Sequence, residues 1–192
     1  MKVKWWKAIA VATGLSFAVA GLAAAQDKTV PRTLVKFAQE TLVSYGQDTQ
    51  LVAYVEKSNA RPQDIAKLKA LDVRWQKKDN IEAFVKTLMA SPASVRLGKI
   101  IGAHLYVPEA FIMDSQGTII GETNRTSTYW KGEQEKFTAA YAGGTGAIWY
   151  GSLAYDESTK TNSVQISVPV SKGGKAIGTI TFTINVDEWE KR

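Results

Sequence analysis

Residues 123–137, TNRTSTYWKGEQEKF, combine one guanidinium group, two adjacent aromatic rings and several hydroxyl groups in a short polar stretch. Arg125 is the only arginine in residues 97–191, and a guanidinium can make a two-pronged contact to a carboxylate in a partly dry pocket. Tyr129 and Trp130 can stack on a small molecule while their polar atoms hydrogen-bond it. The stretch therefore indicates recognition of a small polar or anionic ligand.

Each of these three side chains also has a purely structural interpretation. Arg125 could be an exposed loop cation that pairs with Glu122 or Glu133, because exposure is the ordinary state of a charged side chain. Tyr129 and Trp130 could be packing anchors where the segment meets the rest of the domain. The residues alone leave both interpretations open.

Further ligand contacts are candidates in the segment that follows. Trp149 and Tyr150 are neighbours in a strand-like run, so they point to opposite faces and at most one lines a pocket. Tyr150 is the candidate we retain. Asp156 could bind an ammonium group, or it could start the turn that YDESTKTN indicates.

Residues 164–184 alternate apolar and polar side chains on both sides of SKGGK, which indicates a β-hairpin. An odd-length loop, residues 172–174, keeps apolar side chains opposite each other and places Val164 opposite Phe182. One face of the hairpin is then apolar, and we expect a helix to cover it. Threonine-rich faces are also ordinary on strands that face solvent. The other face carries the polar side chains that are candidates for a pocket floor: Gln165, Ser167 and Thr181.

Composition argues against several other functions. The formal charge is +6, but Lys2, Lys4 and Lys7 lie in the first 25 residues, and the rest has 21 basic and 18 acidic side chains, so nucleic-acid binding is not expected. Cysteine is absent and His104 is the single histidine, which leaves no thiolate metal site and no nucleophile–base–acid series. No cofactor, metal or enzymatic activity is predicted.

The first 25 residues have the three parts of an export signal: a cationic start, an apolar run and a small-residue end. Ala23 and Ala25 form the A-x-A pattern, which predicts cleavage before Gln26. The alternative is an uncleaved membrane anchor, since the apolar run is near the lower length limit for a span. Export without cysteine favours a bacterial periplasm.

The elements that must position the candidates predict an α+β fold and one domain over residues 26–192. A helix opened by Pro31 starts the domain, and further helical patterns fill its first half. Two strands around DSQG follow, then a helix over residues 129–141, then three antiparallel strands.

This order, with FIMDSQGTIIGETNRTSTYWKGEQEKF, YDEST and QISVPVSKGGKAIGTITFTINVD, resembles the Cache (PDC-type) extracytoplasmic sensor domains in their single-unit, PAS-like form. The resemblance implies a long N-terminal helix on one face of a five-stranded antiparallel sheet. On the other face it implies a small-molecule pocket roofed by residues 123–137.

The expected function is therefore a periplasmic, non-enzymatic module that senses a small polar or anionic metabolite, carboxylate or amino-acid-like. Because the chain shows no output domain, a separate membrane receptor or kinase is the expected partner. The alternative is a ligand-free domain that docks onto an envelope protein, because a fold does not guarantee a ligand.

Overall fold

The computed structural model describes residues 30–156 and 161–192. The predicted export signal and its cleavage site lie outside the described residues. Among the described helices, none has the length and apolar character needed to cross a membrane.

The domain begins with a helix that is interrupted once. Helix α1 (Arg32–Phe37) runs through a π-helical turn (Ala38–Leu42) into α2 (Val43–Tyr45). Gly46 ends it, and a Cβ at this position would lie 2.0 Å from the Pro169 carbonyl oxygen, so only glycine allows the close approach to the sheet.

The chain then forms a series of shorter helices. Asp48 opens the next one, because its carboxylate accepts the backbone N–H groups of Gln50 and Leu51. These helices are α3 (Thr49–Asn59), α4 (Ile65–Lys77), α5 (Glu82–Met89), α6 (Pro92–Ile101), α7 (Glu135–Tyr141) and α8 (Val186–Trp189), with a 3-10 turn at Ala142–Gly144.

Within the described residues, six strands form one antiparallel sheet. They are β1 (Glu109–Met113), β2 (Ile119–Glu122), β3 (Trp149–Tyr150), β4 (Ala154–Asp156), β5 (Thr161–Lys172) and β6 (Lys175–Asn185). Their order is β2-β1-β6-β5-β3, and β4 also pairs with β5. The predicted α+β fold with an antiparallel sheet is confirmed, with β4 as a short addition to the five expected strands.

The hairpin β5-β6 separates its two faces as predicted, but its predicted register is wrong. Lys172 pairs with Lys175, so the loop has two residues and not three. Val164 lies opposite Ile184 and not opposite Phe182.

A bulge explains how a two-residue loop still keeps apolar side chains opposite each other. Ser171 pairs with Ala176, whereas Val170 pairs with Gly178, so Ile177 is the extra residue on β6. One extra residue shifts every later pair by one position, and this restores the agreement between the faces.

The apolar face of the sheet is covered by the N-terminal helix, as predicted. Ile166, Ile180 and Phe182 are almost fully buried in one cluster with residues of the first helix such as Leu34 and Leu42. Apolar residues of α3 and α6 join the same cluster, so the main core lies on this side.

The opposite face is covered by a second, smaller cluster. It contains Leu68 and Trp75 of α4, Phe137 of α7, and Phe111 of the sheet. The helix predicted over residues 129–141 is shorter than expected: its predicted start was wrong, since it begins only at Glu135.

Candidate functional site

A cleft of about 640 Å³ lies between this second face of the sheet and the residues that cover it. Sheet residues form its floor, and α4, residues 125–131 and α7 contribute its walls. The lining residues are Trp75, Gln76, Lys78, Glu109, Phe111, Arg125, Thr126, Ser127, Lys131, Lys136 and Gln165.

The register of the sheet explains the chemistry of the floor. Phe111 pairs with Thr181, and Glu109 pairs with Thr183, so all four side chains belong to the same face. Gln165 pairs with Thr183 from the other side and brings its amide to the cleft.

Ser167 and Thr181, two of the predicted floor residues, lie on this face but not among the residues that line the cleft. Both are fully buried, and their hydroxyl groups share a hydrogen bond of 2.8 Å. Helix α7 packs against β5 and β6 on this side. The pair therefore stands in the layer beneath the cleft.

The segment over the cleft is held to α4 through its backbone. The Asp72 carboxylate accepts the N–H groups of both Tyr129 and Trp130. The Trp75 indole N–H donates to the Thr126 carbonyl at 2.7 Å. Helix α4 and this segment are thus connected as one cover.

Arg125 lines the cleft, as the sequence predicted, but part of its bonding capacity is used within the protein. Its guanidinium carbon lies 4.9 Å from the centre of the Trp75 ring, and one of its nitrogens donates to the Trp75 carbonyl. Its remaining donors are available at the cleft wall, where the side chain is half-buried.

Tyr129 and Trp130 occupy packing positions. The Tyr129 ring is buried 5.4 Å from the Trp75 ring and 5.2 Å from that of Phe84, and burial raises the pKa of its phenol to about 12. Trp130 donates its indole N–H to the Gln116 carbonyl at 2.7 Å and stacks under Lys69. Neither is among the residues that line the cleft.

The two remaining candidates lie away from the cleft. Tyr150 pairs with Ile166, so it belongs to the apolar face, while its neighbour Trp149 pairs with Ser167 on the cleft face. Asp156 ends β4, where its backbone pairs with Thr161. The side chain of Asp156 is outside the described part of the structure.

The sequence reasoning missed all three lysines that line the cleft, Lys78, Lys131 and Lys136, and the last two hydrogen-bond to other side chains there. Lys131 is only 3% exposed; its ammonium nitrogen donates to the Thr128 hydroxyl and lies 5.4 Å from the centre of the Phe111 ring. Lys136 donates to the Gln165 side-chain oxygen and lies 5.9 Å from the same ring. Neither lysine forms an ion pair within 4.0 Å with a described carboxylate.

Burial changes the acidity of Lys131 and Lys136. Burial, together with the nearby charge of Lys136, lowers the pKa of Lys131 to about 8, although nearby carboxylates act in the opposite direction. Burial also lowers the pKa of Lys136, against which the charge of Glu109 acts. The inner part of the cleft therefore holds two amines whose charged forms are poorly solvated.

A buried carboxyl group lies beside them. Glu122 pairs with Phe111 in the sheet and is fully buried, and burial raises its pKa to about 7. One carboxyl oxygen accepts the Thr126 N–H at 3.1 Å, while the other has no hydrogen-bond partner in the described structure. At neutral pH this group compensates only part of the lysine charge.

The lining residues present more cationic than anionic groups to the cleft. Lys78, Arg125, Lys131 and Lys136 contribute basic side chains, and Glu109 is the one carboxylate among the described lining residues. No cluster of metal-binding side chains occurs within residues 30–156 and 161–192. The arrangement suits a small anion held against aromatic walls.

Comparison with known proteins gives structural similarities only. No protein-family model matches the sequence, and no curated protein matches it. The sensor domain of the V. cholerae histidine kinase DctB is similar at 13% identity and a TM-score of 0.48, over 86% of this chain and 54% of that domain.

Two chemoreceptor domains show weaker similarity. The ligand-binding domain of Campylobacter jejuni Tlp3, in complex with 4-methylisoleucine, has 13% identity and a TM-score of 0.38, over 81% of this chain and 65% of that one. The ligand-binding domain of the Pseudomonas aeruginosa amino-acid chemoreceptor PctC, in complex with GABA, has 13% identity and a TM-score of 0.36, over 65% of this chain and 54% of that domain. This chain spans less than two thirds of each domain, and such similarities assign it no ligand.

Proposed function

We propose that the protein is a non-enzymatic sensor module that binds a small anionic metabolite in the cleft between the sheet and α4. The observation that carries this proposal is Lys131, a nearly fully buried cation without an ion-pair partner among the described carboxylates. Burying an unpaired charge is costly, and a bound anion would offset that cost.

Four side chains are proposed to contact the ligand. Arg125 and Gln165 were candidates from the sequence, and Lys131 and Lys136 come from the cleft itself. The aromatic walls, Trp75 and Phe111, would exclude water from the anion and strengthen its electrostatic attraction to the lysines.

Binding would be communicated through the cover of the cleft. Side chains of α4 hydrogen-bond to the backbone of residues 123–137, so a ligand that contacts Arg125 and Lys131 would favour one position of the helix and the segment together. We propose that the protein acts in the periplasm and that a separate membrane receptor or kinase reads this position. A ligand with equal affinity for both positions would transmit nothing.

A thermal-shift screen tests the proposal. The exported protein is heated with carboxylates, amino acids and phosphate esters, and with amines and nucleobases as uncharged or cationic comparisons. We expect stabilisation by one class of anion, its loss in Lys131→Met, and its retention in Lys99→Met, since Lys99 is an exposed lysine on α6.

Two results would contradict the proposal. Stabilisation that is unchanged in Lys131→Met would place the ligand elsewhere. The absence of any anion effect, together with recovery of one envelope protein after crosslinking, would favour the ligand-free interaction domain.

A further inference from the structure

Lys131 differs from an ordinary anion-binding lysine in its surroundings. Lys131 lines the cleft, yet only 3% of its surface is exposed to water. A second ammonium group, on Lys136, lies near the same Phe111 ring. Both features favour the neutral amine over the ammonium.

A neutral lysine amine is a nucleophile, and two conditions produce one in proteins: an apolar pocket and a neighbouring cation. Lys131 meets both. The Thr128 hydroxyl is the hydrogen-bond partner of its nitrogen and fixes the position of that atom, while Phe111 provides an apolar surface beside it.

We propose that Lys131 captures its ligand covalently, as a reversible imine with the carbonyl carbon of a small 2-oxo acid whose carboxylate lies against Lys136. This inference rests on the proposed function, because it names the chemical class of the anion that the same cleft would bind.

The reaction needs no oxidant, reductant or further reactant. The lone pair of the Lys131 nitrogen attacks the carbonyl carbon, a C–N bond forms, and the carbonyl π electrons move to the oxygen. One N–H proton moves to that oxygen and gives a carbinolamine. Loss of the hydroxyl group with the second N–H proton then releases water and leaves the C=N bond. Water reverses each step, so the ligand is released unchanged.

The neighbouring groups favour a 2-oxo acid over a simple aldehyde. A carboxylate next to the carbonyl would place its negative charge within reach of the Lys136 ammonium. The hydrogen bond from Lys136 to the Gln165 side-chain oxygen orients that ammonium group. The other basic residues of the cleft lining, Lys78 and Arg125, favour a ligand with a carboxylate in the same way.

Reductive trapping tests the inference on the full exported protein. The protein is incubated with pyruvate or 2-oxoglutarate and sodium cyanoborohydride, and digested peptides are analysed by mass spectrometry. We expect one adduct on Lys131 that forms at least about tenfold faster than on any exposed lysine such as Lys99, because the cleft holds the carbonyl near the amine.

Lactate is the matched control ligand, since it has the same carboxylate and carbon skeleton as pyruvate but a hydroxyl group in place of the ketone. We expect calorimetry to give pyruvate at least about tenfold higher affinity than lactate, and expect Lys131→Arg to remove the difference while it retains a cation. Lys136→Met should weaken both ligands, and Lys99→Met neither.

The outcomes separate this inference from the proposed function. Equal affinities for pyruvate and lactate, or adducts distributed over exposed lysines, would overturn the imine but leave an anion-binding cleft. Failure of every anion to bind would overturn both. An adduct on Lys131 whose rate of formation is unaffected by a saturating concentration of lactate would also contradict capture in the anion-binding cleft.

Discussion

The two faces of the sheet are both buried at its centre but contain opposite chemistry. On β5, Ile166 and Ser167 are neighbours with no exposed surface; Ile166 enters the apolar core beneath the N-terminal helix, and Ser167 shares a hydrogen bond with Thr181 on the cleft side. At the centre of the sheet, the extent of burial therefore does not distinguish the faces, whereas the kind of buried group distinguishes them.

The difference has an energetic consequence. The apolar face gains free energy from every side chain it removes from water. The cleft face removes Lys131 and Glu122 from water, and each shows a pKa displaced against its charged form, which means that the fold destabilises those charges. Groups with displaced pKa values cluster at functional sites, so we expect the cleft face to lose some stability in exchange for ligand recognition.

The largest expected effect is on the apolar face. Ile166→Ala removes methyl and methylene groups from a fully buried position, and we expect a loss of about 2–5 kcal/mol in the free energy of unfolding. Anion binding should be unchanged, because the side chain lies on the far side of the sheet from the cleft. Urea denaturation and calorimetry measure the two properties. A small loss, or a changed affinity, would show that the faces are not independent.

An intermediate effect of opposite sign is expected at Lys131. Lys131→Met keeps an apolar stem in the same volume and removes the poorly solvated charge, so we expect an increase of roughly 1–3 kcal/mol in the free energy of unfolding at pH 7. The same change should abolish anion binding. Lower stability in this variant would mean that the ammonium group is well compensated.

The pH dependence gives this effect a signature. Burial lowers the pKa of Lys131 from 10.5 to about 8, so between these values the unfolded chain binds more protons than the folded one. Stability contributed through this group therefore rises with pH across that window, and is at its minimum below pH 8. Denaturation from pH 7 to 10 should show a steeper rise in wild type than in Lys131→Met. Lys99→Met is the control that should retain the slope.

The separation of the two faces was predictable from the sequence, but the register was not. Alternation with a period of two places side chains on faces whatever the pairing. The one signal for the bulge at Ile177 is the neighbouring Gly178, where the backbone of Met113 approaches closely, and a single glycine in a strand does not by itself specify a register. The predicted three-residue loop and the observed two-residue loop with a bulge both place apolar residues opposite each other, but they pair different residues.

The location of the candidate site was predictable in part. Residues 123–137 do cover the cleft, and Arg125 and Gln165 line it; their contact with a ligand stays a prediction. Lys131 and Lys136 were missed because lysine is normally exposed, and their burial follows from where α4 and α7 lie. Lys131 immediately follows the aromatic pair that drew attention to the segment, and that position was the one available signal.

The smallest expected effect returns to the neighbour of Ile166. Ser167→Ala removes one partner of a buried hydrogen bond, so we expect a loss of about 1 kcal/mol, because the Thr181 hydroxyl is left without its partner. Thr181→Val should cost a similar amount, and the double variant less than the sum, since both polar groups are then absent. Urea denaturation of the four proteins measures this coupling. Strict additivity of the two losses would show that the hydroxyl groups are not energetically coupled. The polar layer under the cleft would then need another explanation, such as water-mediated contact with the ligand.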